Sequence, residues 1–285
     1  MPVIDDGGIN SQQNHTSKKK DAACIKDVWA STLVDEMQKV SEMIDKFPYV
    51  SMDTEFPGVV VHPVGNYTTA NTVHWKTIQC NVNILKIIQL GLTFSDEQGR
   101  HPPGVCTWQF NFKFDIDADM YAQDSIELLQ SSGIDFQKHS TDGIDVQVFG
   151  EMLTASGLVL NEEIKWVSFH SGYDFGYLLK ILTNSDLPEN EADFFDILDT
   201  YFHSVYDIKY IMKTCSDLNH KAGLSQLAAD LQVERIGPCH QAGSDSLITC
   251  HTFFKMINAH VKSFCFRDAR WKNVLYGLGR DTITS

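Results

Sequence analysis

At 285 residues, with 43% hydrophobic and 21% charged residues, the chain has the composition of a globular protein with room for one or two domains and a large core. No apolar stretch reaches bilayer-spanning length, and residues 1–21 lack the apolar region of a secretory signal. The seven cysteines contain no Cys-x-x-Cys, which argues against a disulfide framework or structural zinc and for a reducing compartment, while the net charge of −14 argues against a broad phosphate-gripping surface. A small site in which bound cations supply the positive charge remains compatible with that balance.

Residues 1–22, rich in Gly, Ser, Gln, Asn and Lys, read as a disordered tail. Lys18-Lys19-Lys20 fits a solvated tail better than a localisation signal. The sequons at Asn14 and Asn66 are expected to be chance matches. Residues 25–46 carry helical periodicity through Ile25, Val28, Leu33, Met37, Val40 and Ile44, and Pro48 ends it. Residues 48–55 then read as a strand, 57–65 as a second short strand or extended turn, and 70–85 as a helix. Residues 87–94 and 106–114 are strands around a turn at 98–104, and with the opening strand they predict an antiparallel meander.

From Asp124 the pattern turns helical, over 124–131, 133–139 and 145–156. A strand at 164–169 precedes helices at 174–182, 189–202, 209–215 and 224–231, with a short strand at 205–208. A long helix over 242–261 closes the core. No repeat or linker divides the chain. The expectation is one domain over 23–262 with a C-terminal tail at 263–285, in the α/β class, with a central mixed sheet flanked by helices on both faces.

Asp53 and Glu55, the only Asp-x-Glu of the chain, close the strand at 48–55. Side chains two apart on a strand share a face, so both carboxylates point toward one spot. Like charges that close require a proton or a cation between them, and carboxylate oxygens suit hard divalent ions such as Mg²⁺ or Mn²⁺. Asp174 falls where a strand gives way to a helix, the rim at which α/β sheets place ligands, although alone it also suits a helix cap. His240 is the only one of eleven histidines followed five residues later by Asp, here Asp245. Five residues turn a helix by about 140°, and Gly237-Pro238 marks a loop, which places His240 before a helix and Asp245 just inside it. An imidazole there suits proton transfer near neutrality. Asp115, Asp117 and Asp119 form a second acidic run, read as a polar turn capping the next helix.

In order and setting, Asp53, Glu55, Asp174, His240 and Asp245 resemble the DEDD exonucleases with histidine in the third motif. Longer stretches narrow the likeness. Met52-Asp53-Thr54-Glu55-Phe56-Pro57-Gly58, Ile87-Ile88-Gln89-Leu90-Gly91-Leu92, Trp108-Gln109-Phe110-Asn111-Phe112, Phe169-His170-Ser171-Gly172-Tyr173-Asp174 and His240-Gln241-Ala242-Gly243-Ser244-Asp245 resemble the Caf/Pop deadenylases, the poly(A)-shortening subunits of the CCR–NOT complex. The match runs from about residue 25 to Gly279. Ala222-Gly223-Leu224 departs slightly from the usual Gly-Gly-Leu.

The resemblance implies an RNase H-like fold and a metal-dependent 3′–5′ exoribonuclease that shortens mRNA poly(A) tails and releases 5′-AMP. It implies two divalent cations, Mg²⁺ or Mn²⁺. Asp53 would bridge them, Glu55 and Asp245 would hold the ion that positions the attacking water, and Asp174 would serve the other. His240 would be the general base. Implied partners are poly(A) RNA 3′ ends, a helical-repeat CCR–NOT scaffold, a leucine-rich-repeat deadenylase subunit and Tob/BTG proteins, in cytoplasm and nucleus. A same-fold exonuclease with another nucleic-acid preference is the first competing reading. A scaffolding subunit with an idle nuclease site is the second, and the complete carboxylate set argues against it.

Overall fold

The computed structural model describes residues 24–65, 69–261 and 264–281. The N-terminal tail through residue 23, with its lysine run, and both sequons lie outside them. Alternation decides how the central strand β2, Tyr49–Glu55, is used. Val50, Met52 and Thr54 face one way, and Tyr49, Ser51, Asp53 and Glu55 the other. Val50 and Met52 join the larger of two apolar clusters, whereas Tyr49 joins the second. The sheet therefore has a covered face on each side, and both carboxylates lie on the same one.

The other strands are β1 (Ile25–Val28), β3 (Gln89–Ser95), β4 (Thr107–Asn111), β5 (Lys165–Ser168) and β6 (Val205–Asp207). They form a six-stranded sheet in the order β1-β4-β3-β2-β5-β6. β2, β3 and β4 pair antiparallel, as the meander predicts, while β1, β5 and β6 add in parallel. The β2–β3 connection is not short, because a helix, α2 (Ala70–Ile84), intervenes. One face is packed by α1 (Leu33–Ser41), α2, α5 (Val146–Ala155), α6 (Gly172–Thr183) and α7 (Glu191–Tyr201). The opposite face carries α8 (Ile208–Ile211), α9 (Leu224–Asp230) and the long α10 (Ala242–His260). The remaining helices, α3 (Gln123–Ser131) and α4 (Phe136–Asp142), close a small third cluster around Phe114 and Ile126.

Two expectations are corrected, and the alternative left open at 57–65, a short strand or an extended turn, is decided against the strand. Residues 25–28 are strand, not helix. Ile25 and Val28 pair with Thr107 and Phe110 of β4, and Asp27 accepts hydrogen bonds from Gln109 and Asn111. The i, i+3 spacing of Ile25 and Val28 fits a helix equally well, and four residues are too few for periodicity to choose.

Residues 57–65 form no strand. The amides of Val60 and Val61 donate to the Asn81 side chain at 2.8 and 2.9 Å instead of to a ladder. Gly58, at φ 87°, sits tight against Ser125.

The expected C-terminal tail is packed over the described residues 264–281. Asn273 exchanges hydrogen bonds with Val205, and Trp271, Val274, Leu275 and Leu278 are buried. The segment covers the open edge of β6, which would otherwise expose unpaired backbone groups.

Candidate active site

The site is assembled by one close approach. Asp53 pairs across β2–β3 with Gly91. A Cβ on Gly91 would lie 1.9 Å from the carbonyl oxygen of Ala242, so only glycine lets the first turn of α10 rest on the sheet opposite Asp53. The free amides of that turn are met by strand side chains. Ala242 N–H donates to Gln89 at 3.2 Å and Gly243 N–H to Gln109 at 2.8 Å. Asp245, one turn into α10, thereby reaches the carboxylates of β2.

Asp174 arrives from the other direction. It lies in the first turn of α6, after β5, which runs parallel to β2. The capping reading does not hold: Ser171 is the N-cap, and the Asp174 carboxylate accepts from the backbone N–H and hydroxyl of Thr54 at 2.9 and 2.7 Å. Thr54, between Asp53 and Glu55, thus clamps α6 to the end of β2.

The electrostatics follow from this crowding. Burial pushes Asp53 well above the usual carboxylate range, with further upward pressure from Asp245, Asp174 and Glu55. Glu55 is pushed up to about 8 by burial and by Asp245 and Asp174. Asp174 rises to about 6 through burial, against the lowering hydrogen bonds of Thr54. Arg235 opposes the rise at Asp53 and Glu55. Its guanidinium donates to Asp245 Oδ1 at 2.6 Å and is steadied by Ser244 and Ser225 at 3.1 and 3.2 Å.

His240 is exposed and precedes α10 in a loop with Gly237 at φ 87°. Its own backbone is left-handed, at φ 58°, a conformation that few non-glycine residues adopt. Gln241 ties the loop to the end of α3 through a 2.9 Å hydrogen bond to the carbonyl of Ser132. One ligand atom each from Glu55, His240 and Asp245 lies within 4.8 Å of the others. Four carboxylates, Asp174 and Asp245 buried and Asp53 and Glu55 half-buried, beside an imidazole, form an oxygen-rich donor set that fits hard divalent cations.

All five residues singled out in the sequence meet here: Asp53, Glu55, Asp174, His240 and Asp245. The second acidic run does not. Asp115 and Asp119 hold a turn among themselves, Asp119 pairs with Lys86 at 2.5 Å, and the next helix takes Ala122 as its N-cap. Sequence reasoning missed Arg235, Thr54, Gln89 and Gln109. Nothing in the spacing of Arg235 marks it, whereas two glutamines on near-apolar strands were a readable sign of buried polar work.

Comparison with known proteins places this geometry. A sequence profile described as CAF1 family ribonuclease matches residues 28–147 and 146–253. A protein of Arabidopsis thaliana named "Probable CCR4-associated factor 1 homolog 7" is 53% identical over 267 residues, covering 92% of this chain and 95% of its own. Poly(A) ribonuclease pop2 of Schizosaccharomyces pombe is 50% identical over 278 residues, 98% of this chain and 79% of its own. The structure of S. pombe Pop2p with Mg²⁺ and Mn²⁺ bound superposes with a TM-score of 0.86 at 51% identity, over 90% of this chain and 100% of that one. Yeast CAF1, co-crystallised with the NOT1 MIF4G domain, gives 0.74 at 31% identity, over 88% and 96%. Escherichia coli exonuclease I, at 13% identity and 0.52 over 74% of this chain and 41% of its own, shares the RNase H-like nuclease fold. A profile that spans most of the chain, and relatives half identical along nearly all of it, lead to one assignment: the chain belongs to the CAF1 family of ribonucleases.

Proposed function

We propose that the protein is a poly(A)-specific 3′–5′ exoribonuclease that shortens mRNA tails and releases 5′-AMP as a subunit of a CCR–NOT complex. The observation that carries this is the convergence of Asp53, Glu55, Asp174 and Asp245 beside His240, in a chain half identical to a poly(A) ribonuclease. Asp53, Glu55, Asp174 and Asp245 would hold two divalent cations, Mg²⁺ or Mn²⁺, the ions bound in the structure of S. pombe Pop2p. When bound, such a pair supplies positive charge to the attacking and leaving oxygens of an in-line displacement at phosphorus.

The chain's own residues do the rest. His240, exposed and within 4.8 Å of the Glu55 and Asp245 ligand atoms, takes a proton from the attacking water on a ring nitrogen. Thr54 holds Asp174 in place through two hydrogen bonds. Asp174 is buried and Asp53 half-buried, which limits water on the carboxylate side of the site. With phosphate gripped through cations, the chain needs no basic surface, which reconciles a nuclease with a net charge of −14.

The NOT1-bound yeast CAF1 supports a scaffold partner of that kind. A leucine-rich-repeat deadenylase subunit and Tob/BTG proteins follow from family membership, and co-purification tests them. Seven cysteines without a disulfide among them fit residence in the cytoplasm and nucleus.

The deciding experiment incubates 5′-labelled RNA ending in a run of A with the purified chain and Mg²⁺ or Mn²⁺, beside an EDTA control and Asp53→Ala. The expected result is a metal-dependent ladder that shortens from the 3′ end, slows at non-A bases and is absent in the variant. Equal shortening of oligo(U) or oligo(dA) would overturn the poly(A) assignment. Near-normal turnover by Asp53→Ala would overturn the metal assignment.

A further inference from the structure

Beside Asp174 lies a group of rings that the chemistry above does not use. β5 and β6 run parallel to β2, so their carboxyl ends emerge at the same rim as Asp53 and Glu55. His170 leaves the end of β5 four residues before Asp174 and is exposed. Its ring stacks against His74 of α2, with centroids 5.8 Å apart and planes at 28°. On another side it meets Tyr276 edge-on at 4.9 Å and 82°.

The support beneath these rings is built to hold them. His170 is left-handed at φ 57°, which costs a non-glycine residue on the order of 1 kcal/mol. The fully buried Asp207 holds that conformation by accepting from the backbone N–H groups of His170 at 2.8 Å and Tyr276 at 3.0 Å. It also accepts from Lys209 N–H at 2.9 Å. One buried carboxylate thus fixes both the segment that carries the exposed His170 ring and the segment that carries the half-buried Tyr276, and Gly277 closes against His74, where a Cβ would come within 3.3 Å of the imidazole. Burial also lowers the pKa of both His74 and His170, which favours the uncharged imidazole, suited to a π-face rather than to a phosphate.

We propose that His170, backed by His74 and Tyr276, is a platform on which one adenine upstream of the 3′-terminal nucleotide stacks. The inference rests on the nuclease reading of the neighbouring carboxylates. A strand whose terminal phosphodiester sits at those carboxylates passes Asp174 and then the ends of β5 and β6, where the rings stand. Stacking of a base on a protein ring contributes roughly 1–3 kcal/mol, so the platform is expected to act on KM far more than on kcat.

The test is a cycle between ring and base, run on the full chain. The substrates are oligo(A) strands with one abasic site placed one, two or three nucleotides upstream of the terminal nucleotide. The variant is His170→Asn, which tolerates the left-handed backbone but lacks the ring. The expected result is a roughly tenfold rise in KM for His170→Asn on intact oligo(A), with kcat within about twofold. At one abasic position wild type suffers the same rise and His170→Asn suffers no further one.

In parallel, 2-aminopurine at that position of a hydrolysis-resistant oligo(A) is quenched on binding wild type and not on binding His170→Asn. Independent, multiplying effects at all three positions, or equal quenching by both proteins, would overturn the platform. The binding arm decides this even if no shortening is seen, and absence of shortening bears only on the nuclease reading.

Discussion

His240 is the one exposed member of the candidate catalytic group, held left-handed while the carboxylates around it are buried or half-buried. That division of labour suits a group that exchanges protons with water while its neighbours hold cations. His240→Ala is expected to lower kcat about 10²–10⁴-fold with little change in thermal stability, as read from single-turnover shortening and a melting curve. Unchanged turnover across pH would remove it from the mechanism.

Arg235 has a different part. Without metal it is the cation that opposes the crowding at Asp53 and Glu55, tied to Asp245 with only 16% and 10% side-chain exposure on the two partners. Arg235→Gln leaves a nearly buried carboxylate unpaired. It is expected to cost about 3 kcal/mol in the EDTA-treated protein, the low end for breaking a buried pair. Divalent ions are expected to recover more stability in the variant than in wild type, because they then supply the missing charge. Chemical denaturation with and without Mn²⁺ checks both halves.

Among the elements, α10 and β3 set the geometry. The α10 start is bound by Gln89 and Gln109, and its closest approach to the sheet is at Gly91. Gly91→Ala would put a methyl group into the Ala242 carbonyl, a backbone atom that cannot rotate away. The expected cost is at the upper end of, or above, the 1–3 kcal/mol typical of overpacking, with kcat lowered because Asp245 withdraws from Asp53. A urea titration and a tail-shortening assay read the two effects, and retention of both would mean that α10 is less tightly seated.

The same scale shows which elements could be read in advance. β2, β3 and α10 are long enough for their periods to be unmistakable. β1, with four residues, shares its spacing with a helix turn, and only pairing with β4 made it a strand. The 264–281 segment has no regular period at all. Its burial depends on backbone bonds to β6 and on Asp207, neither of which is local in sequence.

Across the whole molecule, charge links stability to the site. Glu55 and Asp174 have folded pKa values of about 8 and about 6, above their ordinary values of 4.5 and 3.8, and Asp53 moves the same way. A carboxyl whose pKa is raised by folding binds its proton more tightly in the folded state. Its contribution to stability is therefore complete below its unfolded pKa and is lost as pH rises through the folded value. The EDTA-treated protein is accordingly expected to lose thermal stability progressively from about pH 4 to about pH 8.

Divalent ions should reverse that trend, since they bind the deprotonated carboxylates, and binding near pH 7 should release protons. Melting curves across this window, and calorimetry in buffers of differing ionisation enthalpy, test it. A flat profile without metal would show that the carboxylates are better solvated than their burial indicates.

The sequence by itself determined the candidate site of this protein, because its residues are marked by local signals. Asp53 and Glu55 share a face through the period of a strand, Asp174 follows a strand-to-helix junction, and His240 and Asp245 bracket a helix start. These are relations within a few residues, legible wherever they occur. Tertiary structure alone decided what surrounds them. Arg235 reaches Asp245 only through a folded loop, Thr54 clamps Asp174 across 120 residues, and Asp207 gathers His170 and Tyr276 from segments far apart in the chain. Contacts of that kind leave no periodic trace, since each depends on which elements the sheet brings side by side. The cost of crowding four carboxylates is met by such partners, so the sequence names the candidate groups and the fold supplies what holds them.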